Sequence, residues 1–119
     1  MNTRPHVLVV DDEDLVALVL SVTLEEAGYQ VTVCHNGQDA LQVEELAAPD
    51  LLVTDLRMPI MGGLELIREV RQRRPMARII VMTGFSEGYP EEEPGRLAVL
   101  CKPFQMSTLL GTVNTIMSS

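Results

Sequence analysis

The chain has 119 residues, 46% of them apolar, 22% charged and 3% aromatic, with a net charge of −8 at neutral pH. That length fits a single domain, 1–119, burying roughly two-thirds of its unfolded surface in an aliphatic core. The acidic balance excludes direct binding to nucleic acid or to an anionic membrane surface, since both require a basic face.

No apolar run approaches the roughly 18 residues needed to span a bilayer. The opening Met1-Asn2-Thr3-Arg4-Pro5-His6 lacks the apolar region of a signal peptide, so a cytoplasmic location is expected. Cys34 and Cys101 fall in strand-like runs and are expected to be buried thiols rather than a disulfide pair.

His6-Val7-Leu8-Val9-Val10 is a continuous apolar run, the pattern of a strand covered on both faces, and it ends in Asp11-Asp12-Glu13-Asp14. Val16, Val19, Leu20, Thr23, Leu24 and Ala27 then recur at helical spacing until Gly28 stops them. Gln30 to His35 alternates as a second strand. Asn36 is suited to cap a helix from Gln38 to Ala47 with Ala40, Val43, Leu46 and Ala47 inward.

Leu51-Leu52-Val53-Thr54-Asp55 is a third strand, broken by Met58-Pro59 and Gly62-Gly63. A third helix follows Gly63, with Leu64, Ile67 and Val70 inward and Arg71, Arg73 and Arg74 near its end, where cations suit the helix dipole. Arg78 to Thr83 and Leu97 to Cys101 are the fourth and fifth strands. A last helix runs from Met106 to Met117, with Met106, Leu109, Leu110, Val113 and Ile116 on one face. Alternating strands and helices imply parallel strands joined by right-handed crossovers, hence a doubly wound α/β sheet. Neither a Gly-x-Gly-x-x-Gly turn nor a P-loop is present, so dinucleotide and P-loop versions of this architecture are unsupported.

The interval 84–96 breaks the rhythm. It holds two prolines and four glutamates and shows no amphipathic stripe. Pro90 and the three glutamates after it suit at most one helical turn, and a full crossover helix is not expected there.

Four strands end in polar residues at one edge of the sheet: Asp11 and Asp12, Asp55, Thr83, and Lys102. In open α/β sheets that edge is where ligands bind. Taken singly these residues have plain readings as a helix cap, a turn aspartate, a turn threonine and a loop lysine. Together they are three carboxylates, a hydroxyl and an ammonium in one crevice. Two carboxylates about 5 Å apart repel by roughly 3 kcal/mol at an effective dielectric near 20, so the group calls for a cation. Oxygen ligands on a partly open site suit Mg²⁺. His6 and His35 show no ligand spacing and are assigned no site.

The fragments Val9-Val10-Asp11-Asp12-Glu13, Asp55-Leu56-Arg57-Met58-Pro59-Ile60-Met61-Gly62-Gly63, Met82-Thr83-Gly84 and Lys102-Pro103-Phe104 resemble, in order and over essentially the whole chain, the receiver domain of two-component response regulators of the chemotaxis-regulator type. The resemblance implies a flavodoxin-like doubly wound five-stranded parallel sheet of order 2-1-3-4-5 with helices on both faces. It implies that Asp55 is the phosphoacceptor, charged from the phosphohistidine of a sensor histidine kinase or a phosphotransfer protein. Asp11, Asp12, Asp55 and the Arg57 backbone carbonyl would hold Mg²⁺. Lys102 would hold the phosphoryl group, Thr83 would move to meet it, and the Lys102-Pro103 peptide would be cis. The domain would catalyse only its own phosphorylation and slow dephosphorylation, switching contacts with an output partner; homodimerisation on phosphorylation is compatible with this.

Two positions depart from the family pattern. Val99 stands where members usually carry an aromatic, three residues before the lysine, and the fourth helix is expected to be short or irregular. The alternatives are a pseudo-receiver acting as a constitutive interaction module, and a Mg²⁺-dependent aspartyl-phosphate phosphohydrolase of the haloacid dehalogenase kind. The latter needs a second Asp where Arg57 stands.

Overall fold

The computed structural model describes residues 4–84 and 90–118. In chain order they form β1 (His6–Val10), α1 (Asp14–Glu26), β2 (Gln30–Cys34), α2 (Gly37–Leu46), β3 (Leu51–Asp55), α3 (Gly63–Arg73), β4 (Ile79–Thr83), β5 (Leu97–Cys101) and α4 (Met106–Met117). All strand pairs are parallel and the sheet order is β2-β1-β3-β4-β5.

The two-residue period of a strand sends successive side chains to opposite faces, and here both faces are apolar. Val7, Val9, Leu51, Val53, Ile80, Met82 and Leu100 meet Leu20 and Leu24 of α1 and Leu109, Val113 and Ile116 of α4. Leu8, Val10, Leu52, Ile79, Val81 and Leu97 meet Ala40 of α2 and Leu66, Ile67 and Val70 of α3. The central strands β3 and β4 are buried along their whole length.

Several inward assignments shift by a position. Val19 is 43% exposed and Ala17 and Ser21 are buried instead, because α1 turns the face bearing Ala17, Leu20 and Leu24 onto the sheet. In α2 the chain leaves the helix at Ala47, so Leu46 and Ala47 point to solvent while Glu44 is buried. In α3 the buried stripe is Gly63, Leu66, Ile67 and Val70, and Leu64 lies at its outer edge. Cys34 is buried as expected, whereas Cys101, the last residue of edge strand β5, is exposed.

The interval after β4 falls partly at 85–89, outside the described residues. Residues 90–96 form no helix, but the Arg96 and Leu97 N–H groups both donate to the Glu93 carbonyl at 2.8 Å and close a single turn. Glu93 makes an antiparallel bridge with Leu97 across a turn in which Gly95 takes φ 78°, a left-handed value that glycine adopts without strain. This segment covers the open edge of β5, where the Val99 N–H donates to the Glu92 carboxylate at 2.9 Å. Arg71 ties it to α3: its guanidinium donates to Glu93 Oε1 at 2.9 Å, to the Ala77 carbonyl at 2.9 Å and to the Arg96 carbonyl at 3.3 Å. An edge strand left bare would invite pairing with other chains.

Candidate functional site

Strand pleating determines which polar residues meet. Asp55 follows Leu51 and Val53 on the α1/α4 face of β3, and Asp11 and Lys102 continue the same alternation past the ends of β1 and β5. The three converge at the carboxyl edge of the sheet. Lys102 Nζ lies 3.2 Å from Asp55 Oδ2 and 3.3 Å from Asp11 Oδ2.

The outer carboxylate oxygens are occupied too. Asp55 Oδ1 accepts the Leu56 N–H at 2.8 Å, and Asp11 Oδ1 accepts the Glu13 N–H at 2.9 Å. Both carboxylates are buried, Asp11 completely. Asp12 is exposed, yet it offers an oxygen within 4.8 Å of oxygens on both Asp11 and Asp55.

Burial pushes the Asp55 carboxyl above its usual range; Lys102 and the Leu56 N–H partly counter this, and the Asp11 charge adds to it. For Lys102, burial acts to lower the pKa, but the charges of Asp55 and then Asp11, with their hydrogen bonds, outweigh it and hold the ammonium above its ordinary value. Lys102 is therefore a fixed positive charge.

Three carboxylates against one ammonium leave a net of two negative charges. The all-oxygen donor set and the exposed side at Asp12 therefore fit a divalent hard cation that keeps some of its water. The Arg57 backbone, expected to add a carbonyl ligand, belongs to the exposed loop two residues beyond Asp55. That loop is packed tightly: the Gly63 N–H donates to the Leu56 carbonyl at 2.9 Å, and a side chain at Gly63 would collide with the Asp55 carbonyl.

Thr83 sits on the other parity of β4, with Ile79 and Val81. It is fully buried, and its hydroxyl donates to the Gly84 carbonyl at 3.0 Å. Its carbonyl accepts the Lys102 N–H at 2.7 Å, which links it to the site through the backbone. Val99 lies on the same face as Thr83 and packs into the α2/α3 core. The Lys102-Pro103 peptide is cis, as expected.

His35 was given no role from sequence, but its Nδ1 lies 2.9 Å from the Asp11 carbonyl. Only the parallel register of β1 and β2, which puts Cys34 opposite Val10, brings it there. No ligand spacing signalled it.

Beside the crevice is a groove of about 580 Å³ lined by Leu15, Val16 and Val19 of α1 and by Lys102, Pro103 and Phe104. Leu15 on its lining is 72% exposed, and Leu18, elsewhere on α1, is 56% exposed. Among the described residues, no helix is long and apolar enough to cross a membrane.

Residues 7–114 match the model of the response regulator receiver domain. The chain is 35% identical over 118 residues to the DNA-binding transcriptional regulator NtrC of Escherichia coli K12, covering 97% of this chain and 25% of NtrC. It is 34% identical over 117 residues to the transcriptional regulatory protein PdtaR of Mycobacterium tuberculosis H37Rv, covering 95% of this chain and 57% of that protein. The chain thus spans between a quarter and just over half of these relatives. Among solved structures, the chemotaxis response regulator CheY4 of Vibrio cholerae superposes with a TM-score of 0.83 at 32% identity, covering 96% of this chain and 99% of that one. The receiver domain of a signal transduction histidine kinase from Syntrophus aciditrophicus does so with a TM-score of 0.84 at 27% identity, covering 96% and 90%. An acidic crevice closed by a lysine at the carboxyl edge of a 2-1-3-4-5 parallel sheet, and a family match over nearly the whole chain, lead to one assignment: the chain belongs to the response regulator receiver domain family.

Proposed function

We propose that Asp55 is the phosphoacceptor of this receiver and takes its phosphoryl group from a phosphohistidine on a sensor histidine kinase or a phosphotransfer protein. The observation that carries this reading is the Lys102 ammonium bridging Asp55 at 3.2 Å and Asp11 at 3.3 Å. In the transfer, an Asp55 carboxylate oxygen forms the new O–P bond as the P–N bond breaks, its electron pair returning to the imidazole. Phosphoryl transfer is largely a matter of positioning and charge neutralisation. The Leu56 N–H holds one Asp55 oxygen, which fixes the plane of the nucleophile. Lys102 is poised to follow the phosphoryl oxygens as charge leaves the carboxylate.

Asp11, Asp12, Asp55 and the Arg57 carbonyl would hold Mg²⁺, which when bound neutralises charge on the transferring group. Thr83 would exchange its bond to Gly84 for one to the acyl phosphate, the local event that biases a two-state surface. The exposed leucines of α1 and the groove beside Lys102 support a phosphodonor that lays an apolar helical face there. The net charge of −8 supports signalling through protein partners rather than nucleic acid, and a cytoplasmic location is part of the same reading. Neither alternative is favoured: Arg57 stands where a phosphohydrolase needs its acid/base carboxylate, and all five polar site residues a pseudo-receiver would have lost are present.

Intact-protein mass after incubation with Mg²⁺ and acetyl phosphate tests the proposal. One added phosphoryl group is expected, absent from Asp55→Asn and absent without Mg²⁺. A chain that stays unmodified and also fails to bind beryllium fluoride would overturn it.

A further inference from the structure

The turn between β2 and α2 contributes no side chain to the acidic cluster, yet it touches both the Asp11–Asp12 loop and the 56–62 loop that follows Asp55. The Cys34 carbonyl accepts the Asp11 N–H at 3.1 Å, and His35 Nδ1 lies 2.9 Å from the Asp11 carbonyl. A carbonyl only accepts, so His35 donates from Nδ1. On the other side the Gly37 N–H donates to the Met61 carbonyl at 3.1 Å. The approach is close: a Cβ on Gly37 would stand 2.5 Å from that carbonyl oxygen and 2.9 Å from Met61 Cγ. The turn itself is pinned by Asn36, whose side chain accepts the Asp39 N–H at 2.8 Å and caps α2.

We propose that residues 34–37 are a positioning brace that sets the spacing between the Asp11–Asp12 loop and the 56–62 loop, and so sets the affinity of the site for Mg²⁺. The proposal rests on the reading of the crevice given above. Asp55 is the last residue of β3 and Asp11 directly follows β1, the strand beside it, so the ladder that ends at Val10 and Thr54 sets their register. The Asp12 carboxylate and the Arg57 carbonyl lie beyond the strand ends, where no ladder holds them. The turn hydrogen-bonds to both of those loops, and a side chain on its glycine would collide with Met61. Groups that orient ligands without touching the ion typically change metal affinity by ten- to a hundredfold when removed.

The test uses the whole chain and Mg²⁺ itself. Calorimetric titration gives the Mg²⁺ dissociation constant, and the Mg²⁺ dependence of acetyl phosphate labelling gives the half-saturating concentration and the limiting rate. Gly37→Ala is expected to weaken Mg²⁺ binding about tenfold or more and to raise the half-saturating concentration in step, with the limiting rate restored at saturating Mg²⁺. His35→Phe, at a side chain that is 50% exposed, is expected to act in the same direction, and His35→Asn, which keeps a donor near Nδ1, to recover most of the affinity. Gly111→Ala is the control, since nothing lies within 4 Å of a Cβ there, and it should leave binding unchanged. If Gly37→Ala does not fold, the two His35 variants decide. Unchanged Mg²⁺ affinity in the folded variants, beside a parent chain that binds Mg²⁺ and is labelled, would overturn the brace alone. A parent chain that binds no Mg²⁺ would overturn the brace together with the reading beneath it.

Discussion

Replacing Lys102 by methionine keeps the bulk of the side chain and removes the ammonium. In the parent chain that charge sits 3.2 Å from one carboxylate and 3.3 Å from another, with the lysine 27% exposed and the aspartates 9% and 0%. Without it, Asp11 and Asp55 face each other across no more than 4.8 Å, a repulsion of about 3.5 kcal/mol at an effective dielectric near 20. Removing one partner of a buried pair commonly costs about 3–5 kcal/mol, because the remaining charge is stranded. For a domain of this size the corresponding fall in Tm is roughly 12–20 °C.

Thermal unfolding at neutral pH, with and without Mg²⁺, measures it. Mg²⁺ at a hundred times its Kd should return about 2.7 kcal/mol to the variant. The pH dependence has a defined sign. Lys102 is held above 10.5 in the folded chain, so the stability it contributes is complete below that value and is lost as pH rises through the raised folded pKa. At the acid end, the gap between parent and variant closes as the stranded Asp55 carboxylate takes up a proton. Burial already favours that protonation by holding the Asp55 carboxyl above 3.8. A Tm change below about 4 °C at neutral pH, or one insensitive to Mg²⁺, would refute the electrostatic account of the crevice.

Two further outcomes follow from the same geometry. Arg71→Ala removes donors from Glu93 and from the Ala77 and Arg96 carbonyls; a loss of about 2–4 kcal/mol is expected in denaturant unfolding, and a loss under 1 kcal/mol would mean that the 90–96 segment does not depend on this anchor. The exposed Cys101 should be alkylated rapidly and Cys34 slowly in the folded chain. Burial, with Asp39 adding to it, raises the Cys34 thiol above 9.0. The stability this contributes is therefore present below pH 9.0 and lost as pH rises through the raised value, a loss that denaturant unfolding across that range measures.

Much of the site was legible before any coordinates. A carboxylate at the end of a buried, mainly apolar strand is costly without a partner, so Asp55, Asp11 and Lys102 announced each other through their place after Thr54, Val10 and Cys101. The same local logic located the Asn36 cap and argued against a full crossover helix between β4 and β5, where the described residues 90–96 form none. Which way each helix turned did not follow. Val19 and Leu64 keep helical spacing with their neighbours, and only the position of the sheet beneath them decides which side of the stripe is covered.

Sequence alone determined the element order, the parallel sheet and the identity of the acidic cluster, because these follow from hydrophobic period and from the cost of burying charge. Tertiary structure decided the exposure of Cys101, the burial of Glu44 beside Arg74 at 2.6 Å, the clamp of Arg71 on Glu93 and the contact of His35 with Asp11. Each of these joins residues at least twenty positions apart, or depends on which strand lies at the edge. Such contacts are created by the packing of whole elements and leave no trace in local periodicity.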